Sequence, residues 1–352
     1  MVNTLSHLGI GLLIASVAGL NSRQIKVVAF MAILPDLDFI LSTILLAVDE
    51  YLSHGVYNAM YYLMGHREFM HSLTFASIVI IYVWLRERDR LLTIASAAAI
   101  FSHVYLDYVT SWKMRPFFPF VTEATTIGAI DFFDPVVTVI SFVPMIYILA
   151  DRVKRNGIRN GSFKGGNGWF ETLTSGSHSK MYRQLLIIFT VWCLFNPLAK
   201  AFLISAIEDA EGHDIGYQGS YPISPGKFLS AYQYNETHYR ILTSSYWSGV
   251  EQSSFVPIYP DSGSEFSPYV SRARSLYDAS LPGEVDYQVY SAYSSGANVT
   301  VIISDARNPY AQYWAYFKTE YVFVFDTDTG DYKAYIGRHG QHDRPVSRAL
   351  FE

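Results

Sequence analysis

Apolar positions gather into six runs along the first three fifths of the chain, at approximately 8–20, 25–48, 69–85, 91–112, 127–150 and 184–207. A helix that crosses a bilayer needs about 20 apolar residues. The fourth, fifth and sixth runs meet that length, whereas the first is short. The second is interrupted by Leu34-Pro35-Asp36-Leu37-Asp38, and a proline there removes a backbone donor and kinks or ends a helix. Runs one and two therefore predict a short helical hairpin buried by the other segments. Beyond 207 the pattern changes. Tyrosine becomes frequent, and β-branched and aromatic runs of strand length appear at 285–293, 298–304, 313–318 and 321–326. Residues 326–331 carry acidic spacing that loosely resembles a calcium loop, but Gly330 falls one residue early for that pattern, so a hairpin turn is expected.

The pattern predicts a mostly α protein. A multi-pass transmembrane helical bundle of about six apolar segments precedes a small β-rich (α+β) domain. The expected divisions are a membrane-embedded domain at 1–150, a flexible linker at 151–183, a transmembrane helix at 184–207 and the β-rich domain at 208–352. The linker reading rests on the Gly, Ser and Asn content of 156–180; His178 within it is expected to be solvated.

Composition supports the membrane reading. Half of the 352 residues are hydrophobic and only 16% are charged, against about a quarter charged in an average soluble domain. A net charge of −5 gives no reason to expect nucleic acid as a partner. One cysteine, Cys193, excludes a disulfide framework and a thiolate zinc site. The start of the chain lacks a basic stretch, and no small-residue cleavage site follows its apolar run, so the first segment is expected to persist in the mature protein. Basic residues concentrate in alternate loops: Arg23 and Lys26; Arg86, Arg88 and Arg90; and Arg152, Lys154, Arg155, Arg159 and Lys164. The positive-inside rule assigns these loops to the cytoplasm. The N-terminus and the β-rich domain then lie outside a multi-pass protein of the cell membrane.

Histidines and acids cluster near the ends of the apolar runs. His7 precedes the first, Asp36 and Asp38 follow Pro35, and His66, Arg67, Glu68 and His71 open the third. His103 and Asp107 lie late in the fourth, and Asp131 and Asp134 open the fifth. In the predicted topology all five groups fall toward the outer face. Asp36 lies only ten residues beyond Lys26, so it sits below the surface, where ionisable groups are costly and usually paired or functional. His103 and Asp107 are four apart and share a helix face. Imidazole with carboxylate donors suits zinc, manganese or iron, and a site without thiolates is more often catalytic than structural. Plainer readings stand beside this one. Asp36 and Asp134 suit helix caps, and His103 with Asp107 suits a hydrogen-bonded pair locking two helices.

These motifs resemble the YdjM-like family of membrane-bound metal-dependent hydrolases. Leu34-Pro-Asp-Leu-Asp38, Gly65-His-Arg-Glu-Phe-Met-His-Ser72, Ser102-His-Val-Tyr-Leu-Asp107 with Thr110-Ser111, Phe118-Pro119 and Ile130-Asp-Phe-Phe-Asp-Pro135 follow its pattern in order. The layout resembles the family's long form, with an extra C-terminal domain. Glu68 stands where the family usually has Gly, Met70 where it has Thr, and Lys113 where a Gly usually follows the Thr-Ser pair. The resemblance implies metal binding by His7, Asp36, His66, His71, His103 and Asp107. On this reading one or more divalent ions, zinc first with manganese or iron as alternatives, activate water for hydrolysis. Asp38 orients or deprotonates that water, Arg67 holds an anionic group such as a phosphate, and Ser72, Thr110 and Ser111 orient ligands. Trp112, Lys113, Arg115, Phe117 and Phe118 suit the headgroup interface. The expected partners are membrane lipids and a lipid-linked phosphoester substrate. The alternative is a non-catalytic metal-binding, transport or scaffold protein.

Overall fold

The computed structural model describes residues 3–51, 56–110, 113–158, 179–260, 262–280, 285–310, 315–338 and 341–346. Ser111, Trp112, the Gly-rich stretch 159–178 with His178, and residues 313–314 of an expected strand lie outside the described residues. The chain divides into two compact units, Met1–Leu45 with Tyr61–Lys200 and Leu46–Met60 with Ala201–Glu352.

The N-terminal part is helical. Its elements are α1 (Thr4–Val17), α2 (Ser22–Ile33), a 3-10 turn at Pro35–Leu37, α3 (Asp38–Tyr51), α4 (Val56–Met64), a 3-10 turn at Phe69–His71, α5 (Leu73–Glu87), α6 (Arg90–Val109), α7 (Pro135–Ile158) and α8 (Ser179–Glu211). Polar side chains start most of these helices by accepting the free backbone N–H groups of the first turn. Asn3 accepts from Leu5 and Ser6, Asn21 forms a capping box with Gln24, Ser72 accepts from Phe75, and Asp89 accepts from Leu92. Glycines let α1 approach its neighbours closely. A Cβ on Gly9 would lie 1.8 Å from the Ser141 carbonyl oxygen of α7, and one on Gly11 would lie 2.4 Å from Cβ of Ala32 on α2.

The expectation of six spans is corrected. Among the described residues, α6 and α8 are long and apolar enough to cross a membrane, and a third span results if α2 and the segment Pro35–Leu45, bent by 58°, count as one. Apolar run length does not say what a helix faces. With 14 residues, α1 rises about 21 Å, well short of the bilayer's apolar thickness of about 30 Å. It is buried at Ser6, His7 and every position from 9 to 16, so most of its apolar residues face other parts of the protein. The apolar part of α7, Pro135–Ala150, is likewise short of a span, and α5 has 15 residues.

The C-terminal part holds two antiparallel sheets. The first comprises β1 (Ser220–Ser224), β2 (Lys227–Gln233), β3 (His238–Ser245) and β4 (Gly249–Pro257), in sequential order. The second comprises β5 (Gln288–Ser295), β6 (Asn298–Asp305), β7 (Thr319–Asp326), β8 (Tyr332–Arg338) and β9 (Gln341–Val346), also sequential. Strand β2 is buried at every interior position. Phe228 and Tyr232 pack with Leu203 and Ile207 of α8, while Leu229 and Ala231 pack with Ala306 and Phe317. Helix α9 (Ser267–Asp278) covers the second sheet through Val270, Ala273 and Tyr277. The runs at 298–304 and 321–326 are strands. The run at 313–318 is not one over its described part, since 315–318 forms a 3-10 helix. Residues 326–331 make the β7–β8 turn, where Asp326 Oδ1 accepts from the backbone of Asp328 and Thr329, and Gly330 takes φ 71°.

Candidate metal centre

Four separated pieces of chain bring charged side chains to one buried place. The Asn3 cap starts α1 so that His7 lies in its second turn, 3% exposed. Pro35 ends α2, and the 3-10 turn that follows presents Asp36 and then Asp38 at the head of α3. Segment 65–72 enters through Arg67, whose φ of 68° is unfavourable for a side-chain-bearing residue, and closes with His71 before Ser72 caps α5. On α6, the four-residue spacing sets His103 and Asp107 on one face, both buried.

One nitrogen of each central imidazole is already committed. His103 Nδ1 lies 2.7 Å from the Ala32 carbonyl oxygen, which only accepts, so Nδ1 carries the proton. His71 Nδ1 lies 2.8 Å from Asp38 Oδ2 and donates to that carboxylate. The two Nε2 atoms then face each other at 3.3 Å. Around them stand Asp36 Oδ1, 3.7 Å from His71 Nε2 and 3.6 Å from His103 Nε2, and Asp107 Oδ2, 3.4 Å from His71 Nε2. Asp36, His71, His103 and Asp107 each offer a ligand atom within 4.8 Å of all the others.

This donor set fits a small divalent cation. Four tetrahedral donors at about 2.0–2.2 Å from such an ion lie roughly 3.3–3.6 Å apart, close to the separations of 3.3–3.7 Å for four of the six donor pairs. Two buried carboxylate oxygens, Asp36 Oδ2 and Asp107 Oδ2, accept no hydrogen bond, although buried polar atoms are nearly always satisfied. Without a cation, only a proton can sit between the facing nitrogens. Burial favours a neutral His71 ring, but the facing carboxylates of Asp107, Asp36 and Asp38 outweigh it and raise its pKa well above 6.5. The arrangement is thus built to hold positive charge at its middle.

The other expected site residues surround this group. His7 Nε2 lies 3.1 Å from Asp107 Oδ1, and its ring stacks on His103 at 3.7 Å. His66 Nδ1 lies 2.6 Å from Asp38 Oδ1, and its side chain is 37% exposed. Asp38 is fully buried and occupied on both oxygens, since Oδ2 also accepts from the Arg67 backbone N–H at 2.9 Å. Arg67 Nη2 lies 3.4 Å from Asp107 Oδ2. Thr110 donates to the Asp107 carbonyl, whereas Ser72 caps α5. Asp131 and Asp134 do not join the group. Asp134 caps α7 by accepting from Val137 at 2.8 Å and also accepts from the Trp192 indole at 3.1 Å. Burial raises the carboxyl pKa of both.

Two features were not read from the sequence. The Ala32 carbonyl fixes the His103 tautomer, and a backbone atom leaves no signature in side-chain spacing. Arg115, expected at the headgroup interface, is buried at 6% exposure. It pairs with Glu68 and lies 5.1 Å from the Tyr62 ring centroid. The departure from Gly at 68 could have signalled this, because a buried acid needs a cation. Burial pushes the Glu68 carboxyl above its ordinary value even with Arg115 beside it.

A family model described as YdjM inner membrane protein matches residues 1–202. No curated protein and no solved structure matches the chain.

Proposed function

The chain belongs to the YdjM inner membrane protein family, and from that premise we propose that it is a membrane-bound metal-dependent hydrolase acting on an ester or phosphoester bond, with a lipid-linked phosphoester as the favoured substrate. The observation that carries this reading is the pair of imidazole Nε2 atoms facing each other at 3.3 Å between two carboxylates.

Asp36, His71, His103 and Asp107 are the proposed ligands, with zinc as first choice and manganese or iron as alternatives. When bound, such an ion supplies a Lewis acid that acidifies water and polarises the bond under attack. Asp38 orients His71, as outer carboxylates commonly do for metal-binding imidazoles. His66 shares Asp38 and is the more exposed of the two, so it is the group proposed to take up or release a proton. Arg67 holds the anionic part of the substrate near Asp107, and its strained backbone is consistent with a functional position. His7 buttresses His103 and Asp107 from α1. The outward-facing orientation of this centre is part of the proposal and rests on the loop charges.

The test is hydrolysis by the purified chain in lipid vesicles, with zinc or manganese supplied, using a phosphodiester and a phospholipid. Turnover in wild type is expected to fall at least 100-fold in Arg67→Ala and in His66→Ala, about the loss from removing one charge-stabilising or proton-transfer group. Metal that binds without turnover on either substrate would leave a non-catalytic metal-binding protein.

A further inference from the structure

We propose that the loop 116–121 folds back into the acyl-chain layer of the membrane, where lipid chains lie against it beside the four-residue group.

Its depth follows from α5 and α6, which share the turn at Arg88 and Asp89 and pack against each other. The 20 residues of α6 rise about 30 Å, the apolar thickness of a bilayer, and this helix qualifies as a span. The 15 residues of α5 rise about 22 Å. The start of α5 therefore stops about 8 Å short of the far end of α6. The contacts agree. His71, two residues before α5, reaches His103 and Asp107, which precede the last residue of α6 by six and by two.

The chain leaves α6 after Val109 and then returns to that inner level. The Leu73 N–H, at the start of α5, donates to the Pro116 carbonyl at 2.8 Å, and the Thr74 hydroxyl donates to the Phe118 carbonyl at 2.8 Å. Arg115 pairs with Glu68, while the Phe118 ring stacks on Tyr62 and meets Phe69 edge-on. The loop is thereby tied to segment 65–72, which carries Arg67 and His71.

Irregular backbone is costly at such depth unless its polar groups find partners. Pro116 and Pro119 have no N–H to satisfy. Phe118 donates to the Arg115 carbonyl at 3.1 Å, and Phe120 and Val121 donate to the Phe117 carbonyl at 2.9 and 3.2 Å. The outward side chains are apolar and open: Phe120 is 86%, Phe117 50% and Val121 45% exposed. Large apolar side chains left open together mark a contact with membrane or protein, and their depth along a spanning helix selects lipid. Thr122 and Glu123, exposed just beyond, supply polar groups where the chain returns to the headgroups.

The experiment uses the full chain in phosphatidylethanolamine–phosphatidylglycerol nanodiscs, which leave both faces open to solutes. In a Cys193→Ala background, Phe120→Cys and Arg88→Cys are each labelled with an environment-sensitive fluorophore. The label at 120 is expected to be blue-shifted, quenched by nitroxide on the upper part of the acyl chain, and several-fold less accessible to iodide than the label at 88, in the exposed turn at the other end of α6. Equal iodide access at both positions overturns the proposal. Protection from iodide at 120 without quenching by lipid nitroxide also overturns it, in favour of a protein surface covering the loop. The readout needs neither metal nor turnover, so its failure stands apart from a failure of the hydrolase reading.

Discussion

In the β-rich unit, Arg307 is fully buried and its charge is answered on almost every side. Nε donates to Asp305 Oδ1 at 2.8 Å, and Nη2 donates to Asp305 Oδ2 at 2.7 Å and to Asp286 Oδ2 at 2.9 Å. Only Nη1 lacks a hydrogen bond, and the guanidinium lies 4.0 Å from the Phe317 ring centroid. In the helical unit, Asp36, His71, His103 and Asp107 are gathered as tightly, yet two carboxylate oxygens accept nothing and two imidazole nitrogens face each other. Both clusters bury charge, which is costly unless compensated. One compensates internally and closes. The other leaves its donors aimed at a common point, the difference between a structural ion pair and a group that could hold a metal ion.

The largest effect that would break this comparison is at Arg307. Arg307→Met strands Asp305 and Asp286 without their cation and is expected to cost about 3–5 kcal/mol, read as a fall in thermal stability of the full chain, with metal content unchanged. A fall in metal content alongside would erase the distinction between the clusters. Next is Asp38→Asn, which keeps the shape while removing the charge that orients His71. Metal affinity measured by competition with a chelator should drop about 10- to 100-fold, with the saturating stoichiometry retained. An unchanged affinity would remove Asp38 from the account. The smallest effect is at Asp134, which clusters with the site residues in the sequence, suits a helix cap there, and acts as one in the structure. Asp134→Ala should cost about 1 kcal/mol of stability and leave metal affinity alone; a loss of affinity would return Asp134 to the site.

Much of the candidate site was legible because its spacing is local. The Pro35 break, the four-residue step from His103 to Asp107 and the compact segment 65–72 each limit where their side chains can go, and the structure brings these pieces together. What the spacing could not give was the division of roles within the cluster. Whether Asp38 or Asp36 faces the central point depends on which oxygens the neighbouring imidazoles and the Arg67 backbone take up, which is tertiary information. The helices were easier to find than their surroundings. The apolar run of α1 counts as one of six membrane segments, yet its shortness already predicts burial, and its Gly9 and Gly11 pack closely against other helices. In the C-terminal part, the Val- and Phe-rich strands β6 and β7 announced themselves. Strands β1 to β4 did not, because residues such as Ser230, Ser244 and Ser245 are buried there despite being polar. Serine tracts read as loop when only hydrophobic alternation is counted.

The central claim is that the four-residue group binds a divalent cation. Elemental analysis of the detergent-purified full chain, wild type beside a His71→Ala, His103→Ala double variant, tests it most directly. The account predicts a stoichiometric divalent metal in wild type and its loss in a variant that keeps its helical circular dichroism. Wild-type protein that stays metal-free after exposure to zinc, manganese and iron would contradict it.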